Sequence, residues 1–171
     1  PGVMKYNFDD VRPVLERSSA RETAARVAAG AIARRFLEEF GINIKSHVIS
    51  IGKVKTQPVT DIDWGIVEVS DVRCADEKTA KLMREEIDEA KEAGDTVGGA
   101  VEVIAENVPI GLGDHTQWDL KIDALVAQAF MSINAVKSVS IGPGEEIMHK
   151  WGSNVQDVIL PVSNPDDPWQ R

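Results

Sequence analysis

Arg17-Ser18-Ser19, standing directly before Ala20-Arg21-Glu22, is the stretch whose residue types and spacing most readily do chemistry. Ser19 with Glu22 three positions on has the form of a capping box, in which a hydroxyl accepts a first-turn amide N–H and a carboxylate reaches back to the cap. A helix start carries partial positive charge and free N–H donors, so an adjacent guanidinium and two hydroxyls would complete a cradle for a phosphate or another anion. The competing reading makes Ser19 a cap and nothing more, with Arg17 a surface partner of Glu16. Residue types alone leave both open.

The histidines carry less. His47, His115 and His149 make no metal-like pair with one another. His47 falls on the polar side of an alternating segment and reads as solvent-facing. His115 follows Gly113-Asp114 and precedes Thr116, Trp118 and Asp119, a mixture able to line a pocket. His149 lies where all patterns weaken. Gly111-Leu112-Gly113 follows a strand pattern but opens no helix and lacks a third glycine, so it reads as a turn rather than a phosphate loop. Walker, nucleophile-elbow and HExxH sequences are absent. Cys74 is the sole cysteine, which rules out an intrachain disulfide and reads as a buried, inert thiol.

These residues need elements to hold them. From Ser19 a helix should run to about Phe40 and stop at Gly41; Ala24, Ala25, Ala28, Ala29, Gly30, Ala31 and Ala33 leave so little bulk that it reads as a central, sandwiched helix. Ile42 to Ile51 alternates apolar and polar residues like a half-buried strand, and a second strand is expected over Ile66 to Val72, with a loop from Thr56 to Trp64 between them. Asp76 should cap a charged helix, Glu77 to Ala93, closed by Gly94, with Leu82, Met83, Ile87 and Ala90 at helical spacing and its many charges solvated. Val97 to Glu106 reads as a strand whose Gly98-Gly99 lets other atoms come near, followed by a turn-rich loop, Asn107 to Gly113. Asp123 to Ile133 reads as a helix and Val136 to Ile141 as a strand; past Gly142-Pro143-Gly144 the signal weakens, and Ser163 to Pro168 reads as loop or tail.

The 171 residues fit one domain spanning 1–171, and 43% hydrophobic with 27% charged residues suits a soluble protein with a real core. Strands with a polar face favour an α+β fold with antiparallel or mixed sheets. Nineteen basic against 28 acidic side chains give a net charge of −9, which argues against nucleic acid and anionic membrane as partners. Apolar runs such as Val27 to Ala33 are too short to span a bilayer and no leader pattern opens the chain, so a cytoplasmic protein is expected.

Four segments resemble the chorismate synthase family. They are Leu15 to Ala31, with its Arg17-Ser18-Ser19-Ala20-Arg21-Glu22-Thr23 core; Gly94-Asp95-Thr96-Val97-Gly98-Gly99 with Val101-Glu102; Asn107 to Gly113; and Ala129 to Lys137. They occur in the family's order, and Gly152-Ser153 and Asp157 resemble its next positions. The resemblance implies helices packed between antiparallel sheets, a homotetramer, and a lyase of the shikimate pathway of aromatic amino-acid biosynthesis, which eliminates phosphate and a proton from 5-enolpyruvylshikimate-3-phosphate to give chorismate. It also implies reduced FMN, with NADP, and leaves open whether the flavin is reduced by this protein or by a separate reductase. Mapped residue by residue, it assigns FMN contacts to Arg17, Ser18, Ser19, Asn134 and Ala135; Arg21, one turn in from that site, is a weaker candidate to hold the anionic substrate.

The departures are as specific. The family's two catalytic histidines precede the Lys-Tyr that here is Lys5-Tyr6, and this chain has only Pro1-Gly2-Val3-Met4 there, so no catalytic residue is assigned in it. The glycine-rich Ser-Asn-Gly region and the later basic segments have no counterpart before Arg171. The expectation is the central part of a longer enzyme, with a naturally short homologue, or an inactive FMN-binding or oligomerisation module, as the alternatives.

Overall fold

The computed structural model describes residues 1–58 and 61–156, so Asp157 and the tail expected over Ser163 to Pro168 lie outside the described residues. Its contacts divide the chain into two units, Val27–Ile110 and a second made of Pro1–Arg26 with Gly111–Arg171.

The Val27–Ile110 unit is built on a hairpin. β1 (Asn43–Ile51) turns through Gly52, at φ 53°, into the short β2 (Val54–Lys55), while β3 (Gly99–Glu106) pairs along the other side of β1. The sheet has the order β2-β1-β3 and is antiparallel throughout, which gives the expected α+β class its sheet. A register shift between Val48 and Ser50 breaks the strict alternation, and Val48 and Ile51 both pack against the core of Cys74, Ala80 and Met83. Gly99 is required where it is: a Cβ there would stand 2.5 Å from the Ser50 carbonyl oxygen.

Two helices cover this sheet's residues. α5 (Glu77–Glu92) starts as expected at Asp76, whose carboxylate accepts from the Thr79 amide at 2.7 Å. Its buried residues are Ala80 and Met83, whereas Leu82 is half exposed and Ile87 is 36% exposed, so the helix turns a narrower apolar stripe to the core than the spacing suggested. The strand expected over Ile66 to Val72 is instead helical, α4 (Trp64–Val69). Asp63 decides this locally, accepting from the Gly65 and Ile66 amides at 2.9 and 3.4 Å and so capping a helix where β-branched residues favoured a strand.

The long helix α3 (Ala20–Glu38) has its first turns in the other unit and the rest here. It ends in a Schellman motif: Ile42 N–H donates to Leu37 O, Gly41 N–H donates to Glu38 O, and Gly41 sits at φ 77°. Expected to be tightly sandwiched, α3 instead exposes Val27, Ile32 and Phe36 at 68, 75 and 64%, and a Cβ on Gly30 would meet nothing within 4 Å. The small side chains are present, but no packed neighbour lies on them among the described residues.

In the other unit the sequence reading missed α1 (Gly2–Tyr6) and α2 (Arg12–Ser18), the latter with proline in its first turn. α6 (Ile122–Met131) holds as expected. The strand expected over Val136 to Ile141 is irregular, since no strand among the described residues pairs with it. Short 3₁₀ turns follow at Gly144–His149 and Gly152–Asn154.

Candidate functional site

The candidate residues gather where α2, α3 and the end of α6 meet. Arg17 and Ser18 close α2 rather than open α3, which corrects the expected cradle of three residues at one helix head. Ser18 Oγ donates to Val14 O at 2.8 Å, spending its proton inside α2. Ser19 is extended, at φ −105° and ψ 177°, and alone separates the two helices.

Half of the expected capping box forms at that junction. Ser19 Oγ accepts from Arg21 N–H at 3.3 Å and Ser19 O accepts from Glu22 N–H at 3.2 Å, but the Glu22 carboxylate does not reach back to the cap. It holds Arg26 instead, with Nε at 2.6 and 2.9 Å from its two oxygens. Two flexible partners one turn apart on the same helix face outcompete the strained return to the cap. The ion pair expected of Glu16 with Arg17 is made with Arg21. Arg12, Arg21 and Arg26 all have carboxylate partners, which leaves Arg17 as the one arginine of this unit with none among the described residues.

Across 115 residues of sequence, Asn134 Nδ2 donates to Ser19 O at 3.3 Å. The segment after α6 that carries Asn134 and Ala135 is thereby set against the start of α3. A second tie runs parallel to it: Arg26 Nη1 donates to Ser132 Oγ at 2.8 Å, and Ser132 Oγ donates to Ala129 O at 2.7 Å. Ala135 takes φ 70°, a left-handed conformation a non-glycine residue holds only where its surroundings fix it. The structure thus joins Ser19 to Asn134 and keeps Arg17 and Ser18 within the adjoining turn, while Arg21 is tied to Glu16. Arg26 and Ser132 were missed by sequence reasoning. The Glu22/Arg26 spacing was visible, and Ser132 lay in the Ala129 to Lys137 segment that resembles the family, but nothing in the sequence paired it with Arg26.

The histidines are placed differently from expectation. His47, read as solvent-facing, is 4% exposed; the Trp64 ring stands edge-on to it at 5.9 Å between centroids, and Nε2 lies 2.7 Å from Glu102 Oε2 on the paired strand. The Trp64 ring at the start of α4 stands against the side of β1 that the alternation gave to solvent. His115 stands 98% exposed on a loop pinned by Asp114, whose Oδ1 accepts from the Thr116 amide and hydroxyl, both at 2.8 Å. His149 is exposed as well, and Cys74 is buried as expected. Among the described residues no helix is long and apolar enough to cross a membrane, and no group of three or more His, Cys, Asp or Glu could hold a metal ion.

Comparison with known proteins converges on one description. The sequence profile of the family described as chorismate synthase matches residues 1–167. The chorismate synthase of Caldicellulosiruptor saccharolyticus is 52% identical over 164 residues, which is 94% of this chain and 43% of the relative. That of Listeria welshimeri is 50% identical over 163 residues, 93% of this chain and 42% of the relative. A solved structure titled "Crystal Structure of Chorismate Synthase" superposes with a TM-score of 0.84 at 46% identity, covering 93% of this chain and 51% of that one. The chain spans roughly two-fifths of the curated relatives' length and about half of the solved chain.

Proposed function

The chain belongs to the chorismate synthase family, and on that premise we propose that it forms part of a lyase that eliminates phosphate from 5-enolpyruvylshikimate-3-phosphate. In the reaction the carbon–oxygen bond to phosphate breaks, a proton leaves the ring, and a new carbon–carbon double bond gives chorismate. Reduced FMN, when bound, supplies electron density transiently, with no net redox change. The working form in this reading is a cytoplasmic homotetramer.

One observation carries the proposal within this chain: Asn134 and Ser19, which lie in separate segments that resemble the family, are hydrogen-bonded at the start of α3, and Arg17 in the adjoining turn has no carboxylate partner among the described residues. The residues present suit an anionic, hydrogen-bonding cofactor. Arg17 offers an exposed guanidinium, Ser19 a hydroxyl proton that no internal acceptor takes, and Asn134 an amide whose oxygen accepts nothing else among the described residues. Ser18 and Ala135 complete the contacting set, Ala135 through its backbone in the left-handed turn. Arg21 is the weaker candidate for the substrate, because an anion would have to compete with Glu16 for it. What these residues do is bind and orient; the chemistry of the elimination belongs to the cofactor.

The direct test is phosphate release by the protein encoded by the complete gene, given the phosphorylated substrate and FMN reduced under anaerobic conditions. Turnover that depends on reduced flavin is expected. Flavin binding without any phosphate release, with the flavin verified as reduced, would replace the enzyme by a binding module.

A further inference from the structure

Arg26 and Ser132 stand outside the contacting set, yet they bear on it. The Ser132 hydroxyl donates to Ala129 O at 2.7 Å, so its one proton is used at the end of α6 and it meets Arg26 as an acceptor. Arg26 Nη1 donates to that oxygen at 2.8 Å, while Nε lies 2.6 and 2.9 Å from the two Glu22 oxygens. The guanidinium thus bridges α3 to the end of α6 across 106 residues of sequence, whereas the ion pairs of Arg34 and Arg35 stay within α3 and its end. A planar fork with several N–H groups makes both contacts at once, which a single ammonium does not match.

The turn that follows Ser132 is weakly held on its own. It leaves α6 through two short-range backbone bonds, Ile133 N–H to Phe130 O at 3.0 Å and Val136 N–H to Ile133 O at 3.2 Å. Within it Ala135 takes the left-handed φ of 70°, a conformation disfavoured for any residue with a Cβ. Asn134 reaches α3 by one bond, to Ser19 O at 3.3 Å, longer than the usual N–H···O distance. One attachment is a pivot, and two fix a direction. Arg26 supplies the second, six residues into α3 and about 9 Å along its axis at roughly 1.5 Å per residue. Its bond to Ser132 is charge-assisted and shorter than the one made by Asn134.

We infer that Arg26, acting through Ser132, is a positioning residue that fixes how Asn134 is presented at the start of α3. The inference rests on the flavin reading, because its purpose is to hold Asn134 ready for the cofactor. Asn134 Nδ2 is engaged at Ser19 O, and the tie at Ser132 restrains the backbone two residues before it. A side chain already held in its binding orientation loses less freedom when a ligand arrives, so affinity gains without any contact from Arg26 or Ser132 to the flavin.

Ser132→Ala removes the hydroxyl and leaves the Glu22–Arg26 pair in place, whereas Ser132→Thr keeps a hydroxyl; both are made in the protein encoded by the complete gene. With FMN as the probe, Kd by fluorescence quenching should rise about fivefold in Ser132→Ala, the weight of one hydrogen bond, and most of the affinity should return in Ser132→Thr. Far-ultraviolet circular dichroism should stay that of the parent. Without flavin, hydrogen–deuterium exchange across residues 133–136 should be faster in Ser132→Ala than in the parent. A residue that only stabilises the fold would weaken flavin binding alike in any background. One that acts through Asn134 should add little to the loss already produced by Asn134→Ala. Unchanged Kd or exchange in Ser132→Ala, no recovery in Ser132→Thr, or losses that add in full in the double variant would each overturn the positioning role and leave the flavin reading standing. A parent protein that takes up no FMN would overturn the flavin reading and this role together.

Discussion

Ser19 and Arg17 make separable demands. Ser19 accepts three hydrogen bonds, one at its hydroxyl from Arg21 N–H and two at its carbonyl from Glu22 N–H and Asn134 Nδ2. Ser19→Ala removes only the first, so the link to Asn134 survives and the expected loss is that of a helix cap, about 1 kcal/mol in a urea titration. Arg17 has no carboxylate partner among the described residues and is exposed, so Arg17→Ala should leave the urea midpoint unchanged. Under the proposed function both variants also lose a hydrogen bond to an anionic cofactor. For Arg17 that is about 1.5 kcal/mol, or roughly a tenfold weaker flavin Kd by fluorescence quenching. Stability lost without any change in flavin affinity would reduce Ser19 to a cap; an unaltered Kd for Arg17→Ala would remove the guanidinium from the site.

The elements of the Val27–Ile110 unit are tied together by carboxylates that the fold holds ionised. Thr79 lowers Asp76 through its hydroxyl and amide, Arg84 lowers Asp71, and Arg73 lowers Glu68. A lowered native pKa means the unfolded chain takes up the proton first, so the stability from these groups is complete above their ordinary values of 3.8 for the aspartates and 4.5 for Glu68. It drains away as pH falls below those values toward the lower native ones. Helical circular dichroism should therefore hold down to roughly pH 4.5 and then decline, and Asp76→Asn, still a cap but no longer titratable, should decline less steeply. An acid profile identical to the parent's would show that Asp76 does not couple α5 to pH. Element by element, the sequence was legible where periodicity and a cap agreed, as at Asp76 for α5 and Gly41 for the end of α3. It misled where they disagreed: Val67 and Val69 suggested a strand, and the two amides gathered by Asp63 made a helix. α1 and α2 are too short to show a period, and Val136 to Ile141 alternates like a strand but finds no partner among the described residues. In the candidate site the i,i+4 pair of Glu22 and Arg26 was readable, but the meeting of Ser19 and Asn134 is a tertiary fact that no local pattern encodes.

At the scale of the whole molecule, one surface calls for a covering. Ile32, Phe36 and Phe40 follow one another at four-residue spacing along α3 and just past its end, 75, 64 and 65% exposed, with the Phe36 and Phe40 rings edge-to-face at 5.1 Å. An apolar stripe of this kind marks a buried contact in a larger assembly rather than a surface meant for water. The solved relative whose fold this chain matches is about twice as long, so under the proposal that this chain is part of a longer enzyme, further polypeptide or another copy would be available to lie on that stripe. The two settings predict opposite outcomes for one substitution. In the 171-residue polypeptide alone, Phe36→Glu replaces an exposed ring by a charge, so 8-anilinonaphthalene-1-sulfonate fluorescence and concentration-dependent light scattering should fall while helicity is kept. In the protein encoded by the complete gene the same carboxylate would be forced into a packed contact, and burying an unpaired charge costs several kcal/mol, enough to abolish assembly or folding. A complete protein whose native mass by analytical ultracentrifugation and thermal midpoint are both untouched by Phe36→Glu would show that the stripe on α3 stays open to solvent, and the proposed homotetramer would then have to be held together by other surfaces.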